Sequence, residues 1–169
     1  MTIHPTAVIG DPPEHRDWKP GDPMFAPTID QSATVNAFVS VDAGLFMPTA
    51  IGAGALLMKH VHVGHDVVIG ADCELAPGTI IGGHAQLGDR VRCGIGVLVK
   101  PFVKVGAGAR LGMGAVVTKD VPAGEVWVGN PACEIGALMR LRHGRVLPET
   151  ELTALEMAGW EHLAQAVLR

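Results

Sequence analysis

The segment His60-Val61-His62-Val63-Gly64-His65-Asp66 sets three imidazoles and a carboxylate within one short stretch, and a fourth imidazole follows at His84. Neutral imidazole accepts a proton near pH 7, and an adjacent carboxylate stabilises the imidazolium that forms. His65 beside Asp66 is therefore a candidate general base with its carboxylate partner. Such a pair suits the attack of an amine or hydroxyl on a thioester, in which the nucleophile must lose a proton. The tetrahedral oxyanion would need a donor, and the backbone N–H groups of Gly82 and Gly83 are candidates.

The element that positions these groups is a repeat. From Ile51, steps of six reach Leu57, Val63, Ile69, Leu75, Ile81, Leu87, Cys93, Val99, Val105, Leu111 and Val117. The next residue is usually glycine or alanine, as at Gly64, Gly82 and Gly88, where the chain must bend. Four residues after each aliphatic comes a small or β-branched one, such as Ala55, Val61, Cys73, Thr79 or Ala109. Side chains alternate faces along a strand, so a short strand plus a turn, repeated, accounts for a period that no α-helix has. The frame continues upstream in another phase through Ile29, Val35 and Val41, with Ala33, Val39 and Leu45 inward, and shifts between Met47 and Ile51. Ile3 to Gly10 fits the same template, and the proline-rich stretch 11–28 reads as a loop extruded from the first coil.

Leu57 to Ala132 resembles the hexapeptide-repeat acyltransferases, and among them the amino-sugar N-acetyltransferases related to the sialic acid O-acetyltransferases. The matching strings are Gly64 to Asp72 (G-H-D-V-V-I-G-A-D), Leu75 to Gly78 (L-A-P-G), Gly114 to Gly124 (G-A-V-V-T-K-D-V-P-A-G) and Val128 to Ala132 (V-G-N-P-A). H-V-G-H-D followed by a later G-H is also similar to UDP-N-acetylglucosamine O-acyltransferase. The resemblance implies an all-β solenoid, a left-handed parallel β-helix of about five coils, in which three hexads close a triangular coil. His84 would then stand one coil above Asp66. It implies His65 as general base, with Asp66 raising its basicity, and acetyl-CoA as acyl donor in a groove between subunits of a homotrimer. The pantetheine positions match Glu74, Gly83, Ile95 and Met113; Glu74 stands where the amino-sugar enzymes often have histidine, and Met113 where small residues are common. His62 and His84 match acceptor-shaping positions of the sugar-nucleotide acyltransferase. The amino-sugar enzymes usually carry an N-terminal α/β domain for the nucleotide sugar. Here the repeats begin almost at residue 1, so the acceptor pocket is expected from the coils and the His15–Lys19 loop.

The expected organisation is a β-helix over 1–132 and a C-terminal helical extension over 133–169. Leu152, Leu155, Trp160, Leu163 and Val167 carry the helical spacing of that extension, which would cover the open end of the solenoid. A formal net charge of −4, with no basic cluster, gives no support to a nucleic-acid or membrane-surface partner. Neither a signal peptide nor a membrane span is evident, and a cytoplasmic protein is expected. Cys73 and Cys93 fall on inward positions as small hydrophobes, and Cys133 lies outside the repeat. Glu74, Arg92 and Arg110 read as an ion-pair ladder on a solvated face. Lys100, Lys104 and Lys119 are candidates for the coenzyme A phosphates, and Trp18 is either a loop cap or a stacking residue.

Two other readings compete. A γ-type carbonic anhydrase shares the β-helix and holds zinc with three histidines, two of them spaced as His60 and His65 are. Met24 and Ile29 stand where its third ligand is expected, and no metal is expected here. The third reading is a non-catalytic β-helix scaffold.

Overall fold

The computed structural model describes residues 2–138, and the chain divides into two units, Met1–Cys133 and Glu134–Arg169. In the first unit almost every hexad forms a two-residue strand. The strands stack in parallel on three faces of a solenoid. The first face carries Thr2–Ile3, Thr34–Val35, Leu56–Leu57, Glu74–Leu75, Arg92–Cys93, Arg110–Leu111 and Val126–Val128. The second carries Val8–Asp11, Ser40–Asp42, His62–Val63, Ile80–Ile81, Leu98–Val99 and Val116–Val117, and the third Thr28–Ile29, Ala50–Ile51, Val68–Ile69, Gln86–Leu87 and Lys104–Val105.

The six strands of the second face mark six turns where about five are expected from the repeat. Thr2 pairs with Thr34 and Thr28 with Ala50, so strands on either side of the long excursion belong to one coil.

One aliphatic side chain from each strand points into the triangle. Val35, Leu57, Leu75, Val41, Val63, Ile81 and Ile69 are at most 2% exposed. Each such burial stabilises the coil by roughly 1.5–3 kcal/mol. The other residue of each strand points outward, so the aliphatic lining is confined to the inner face. The residue after the aliphatic is small because the next coil lies directly on it: a Cβ at Gly88 would stand 2.7 Å from the Ala107 nitrogen. The bends themselves fall later in the hexad, where Asp66, Asp72, His84, Arg90 and Phe102 take φ between 54° and 68°.

Two insertions interrupt the hexad rhythm, 12–27 and 43–49, and both leave the solenoid at the corner between the second and third faces. Leu45, expected as a core residue, is in the second of these and only half-buried. Thr49 fills the inward slot instead and is fully buried. An insertion between Val41 and Ile51 moves the inward position along the chain without disturbing the coil above.

The second unit is described over 134–138 only. The Glu134 carboxylate accepts the N–H groups of Gly136 and Ala137 at 2.6 and 2.7 Å, capping a helical turn over 135–138. The rest of the helix expected over 134–143, and the helical spacing after Pro148, lie outside the described residues. No helix among the described residues is long and apolar enough to cross a membrane.

Candidate active site

His65 and Asp66 occupy the turn that follows the His62–Val63 strand, at the corner from which both insertions depart. The Asp66 backbone takes a φ of 59°, a left-handed conformation that aspartate tolerates better than most residues. This turns its carboxylate inward, beneath the His65 ring. His65 Nδ1 and Asp66 Oδ2 are 2.8 Å apart, and the two residues are 8% and 2% exposed.

The other carboxylate oxygen is held by the second insertion. Asp66 Oδ1 accepts the backbone N–H groups of Leu45, Phe46 and Met47 at 3.1, 2.8 and 2.8 Å. The Asp66 N–H donates to Thr49 Oγ1 at 3.0 Å. Three converging amides require a tight loop, and Gly44 makes it possible, since any Cβ there would run into the Met47 carbonyl oxygen. Burial alone would raise the Asp66 carboxyl, but the His65 hydrogen bond and the three amides outweigh it and hold it below its usual value. Asp66 is thus an anion near neutral pH, and it accepts the His65 Nδ1 proton. The neutral His65 ring then carries its lone pair on Nε2, the atom a general base uses.

Gly83 gives that atom its space: a Cβ at Gly83 would lie 2.7 Å from His65 Nε2. The Gly82 N–H, one of the two expected oxyanion donors, is spent on the Val99 carbonyl at 2.9 Å. Gly83 is the member of the pair whose backbone lies against His65.

His84 stands one coil above, as the resemblance implies. Its Nε2 is 3.7 Å from Asp66 Oδ2, and its ring is edge-on to His65 at 4.9 Å. Phe102 stacks on it from the next coil at 4.5 Å, and Phe46 leans on it at 5.8 Å. Burial lowers the His84 pKa, with Asp66 opposing and the neighbouring His65 and His15 reinforcing the shift. His62 is one strand away from the pair. Its Nδ1 meets Ser40 Oγ at 2.8 Å and its Nε2 is 3.9 Å from Asp42 Oδ2. Asp42 is raised, chiefly by burial and also by Glu14, against the opposing influence of His62 and His65.

The remaining expected positions lie elsewhere on the solenoid. Glu74 is on the first face, paired with Arg92 at 3.2 Å in register with Arg110. Ile95 and Met113 are exposed at the corner between the first and second faces. Within one chain, then, Gly83 and His84 meet His65 and Asp66, His62 meets Ser40 and Asp42 beside them, and Glu74, Ile95 and Met113 lie elsewhere. His60 sits at the opposite end of the His62–Val63 strand from His65 and stacks on Phe38 at 5.0 Å, so this pair does not converge. Among the described residues, His65, Asp66 and His84 bring possible metal-ligating atoms within 4.8 Å of one another. Cys73 and Cys93 are buried with raised thiols, as core residues. Trp18 is half-buried, and its Nε1 has no hydrogen-bond partner among the described residues.

Thr49, the three amides of the second insertion and Asp42 were not legible as site residues, whereas the loop that carries His15 is the one expected at the acceptor pocket. The break in the six-residue frame after Val41 was the available signal for the first two.

Residues 48–83 match the bacterial transferase hexapeptide repeat. The chain is 52% identical over 112 residues to UDP-3-O-acylglucosamine N-acyltransferase of Maricaulis maris, a match spanning 66% of this chain and 33% of that protein. It is similar to perosamine N-acetyltransferase from Caulobacter crescentus, solved as a mutant with CoA and GDP-perosamine, at 29% identity and a TM-score of 0.66, over 79% of this chain and 55% of that one. UDP-N-acetylglucosamine acyltransferase from Bacteroides fragilis superposes with a TM-score of 0.75 at 27% identity, over 88% and 59% of the two chains. The chain therefore spans a third of the curated relative's length and little more than half of these solved structures. The chain thus carries the bacterial transferase hexapeptide repeat, folded as a left-handed parallel β-helix, and the relatives it is similar to are acyltransferases.

Proposed function

We propose that this chain transfers an acyl group, favoured as acetyl, from coenzyme A to an amine or hydroxyl of a sugar-type acceptor. His65 removes the acceptor's proton through Nε2, Asp66 orients and stabilises the ring, and the Gly83 backbone faces the developing oxyanion. The collapsing tetrahedral intermediate expels the coenzyme A thiolate, which takes the proton back from His65. The observation that carries this reading is the 2.8 Å bond between His65 Nδ1 and an Asp66 carboxylate already held by three amides. A base locked in one tautomer with its Nε2 lone pair left free is what acyl transfer needs. The relatives' names support the donor and the class of acceptor.

The working form we propose is a homotrimer. Ile95 and Met113, at a different corner from His65, would then meet the donor from a neighbouring subunit, with Glu74 nearby on the first face. Ile80 and Leu98 leave the second face apolar, at 44% and 40% exposed, which favours association of copies.

The test is thiol release from acetyl-CoA in the presence of UDP-3-O-acylglucosamine, GDP-perosamine and UDP-N-acetylglucosamine. Turnover with one of them, lost in His65→Ala while the fold is kept, supports the reading. A His65→Ala protein as active as the parent removes it. The grouping of His65, Asp66 and His84 favours a second reading, in which these three hold a divalent metal. Stoichiometric zinc in purified protein, lost together in His65→Ala and His84→Ala, would favour it.

A further inference from the structure

The two departures from the hexad rhythm converge on one point. Both leave the corner between the second and third faces, from consecutive coils below His65. They are laced to each other, since Phe25 and Gly44 exchange N–H···O=C bonds of 2.8 Å in both directions. The shorter insertion supplies the amides that hold Asp66. The longer one, 12–27, is anchored by the buried Pro13, by the Glu14 N–H on the Asp42 carboxylate, and at its root by the Ala43 N–H on the Asp11 carbonyl at 2.8 Å.

So anchored, the longer insertion carries His15 to an edge-on contact with His65, with ring centroids 5.6 Å apart. His15 Nδ1 accepts the Asp17 N–H at 3.3 Å. The neutral ring therefore bears its proton on Nε2, as a donor. His15 is exposed, and its Nε2 has no hydrogen-bond partner among the described residues.

We infer that residues 12–27 form a wall of the reaction site contributed by the same chain, and that His15 is an acceptor-binding residue whose Nε2–H holds an acceptor oxygen while His65 takes the proton. The second half of this inference rests on the acyltransferase reading; the first does not. His15 brings a donor to the site from a segment outside the repeat, and it makes the corner a pocket with a polar rim.

The test uses the full chain as wild type, His15→Ala and His15→Gln, because glutamine restores a donor near the Nε2 position. Diethyl pyrocarbonate is the first probe, with carbethoxylation of His65 followed by site-resolved mass spectrometry. A wall at His15 predicts that His65 reacts several-fold faster in His15→Ala and at the parent rate in His15→Gln. Equal rates in all three proteins overturn the wall, whatever the acceptor is. The second measurement is the Michaelis constant for whichever acceptor of the panel turns over. His15→Ala should raise the acceptor KM about tenfold, one net hydrogen bond's worth, and leave the acetyl-CoA KM within about twofold. An unchanged acceptor KM overturns the binding role. If no acceptor of the panel turns over, the acyl-transfer reading fails for that panel and the binding role fails with it; the carbethoxylation rates still decide the wall.

Discussion

Thr49 holds Asp66 from below: its hydroxyl, fully buried, accepts the Asp66 backbone N–H at 3.0 Å. One side chain thereby closes the inward slot of a coil and steadies the left-handed turn that aims the carboxylate at His65. Thr49→Val keeps the shape and removes the acceptor. It should cost about 1–3 kcal/mol, the penalty of an unsatisfied buried N–H. Denaturant unfolding of the variant measures it, and a loss below about 0.5 kcal/mol would show that Asp66 does not depend on this bond.

Asp66→Asn should be worse for catalysis than for folding. An amide offers Nδ1 no anion to stabilise an imidazolium, and its NH2 can face the ring and impose the other tautomer. Turnover should fall by about 10²–10⁴. The unfolding midpoint should move much less than the rate. Steady-state thiol release alongside thermal melts separates the two quantities.

Gly83→Ala tests the space in front of the base. The new Cβ would lie 2.7 Å from His65 Nε2, so the ring must turn away. Activity should fall by about tenfold or more, with the acetyl-CoA KM less affected than the rate. Gly44→Ala acts on the other side of the pair. There the clash is with the Met47 backbone carbonyl, which cannot swing aside as a side chain can. We expect it to destabilise the corner and weaken the Asp66 amides together.

Acid should destabilise the protein in two steps. His84 has a depressed pKa, so the folded state resists the proton that the unfolded chain accepts. Stability is complete above about pH 6.5 and declines as pH falls from there towards the folded pKa. Asp66 is also depressed, but from a carboxylate's range, so its contribution is present above about pH 4 and is lost as pH falls through its folded value. Unfolding free energy measured against pH should lose its upper slope in His84→Gln and its lower slope in Asp66→Asn. Unchanged slopes would contradict these directions.

Glu74 and Arg92 provide a contrast. Their pair is 3.2 Å long, but the side chains are 45% and 60% exposed. Water and salt screen such a pair, and Glu74→Ala should cost no more than about 0.5 kcal/mol.

The sequence by itself determined the coil. A residue that must be aliphatic at every sixth position, with a small one four later, leaves the chain few ways to bury its apolar surface other than stacked short strands. That pattern placed Leu57, Leu75 and Cys93 on inward positions; their stacking in one column, and His84 above Asp66, followed only from the three-hexad coil that the family resemblance implies. It also picked out His65 with Asp66, since they are neighbours in the chain.

Only the tertiary structure decided what surrounds them. Where the rhythm broke, at 12–27 and 43–49, no periodic rule says which way a segment turns, and Leu45 was misplaced for that reason. The amides on Asp66, Thr49 beneath it and His15 across from His65 come from these irregular stretches. The amides on Asp66 are backbone groups, which any residue type supplies and which therefore leave little mark on composition, while Thr49 and His15 stand at positions no repeat rule specifies. Glu74, Ile95 and Met113 show the same limit from the other side. Their spacing is right for the repeat, but the corner on which each falls follows from how three hexads close a triangle.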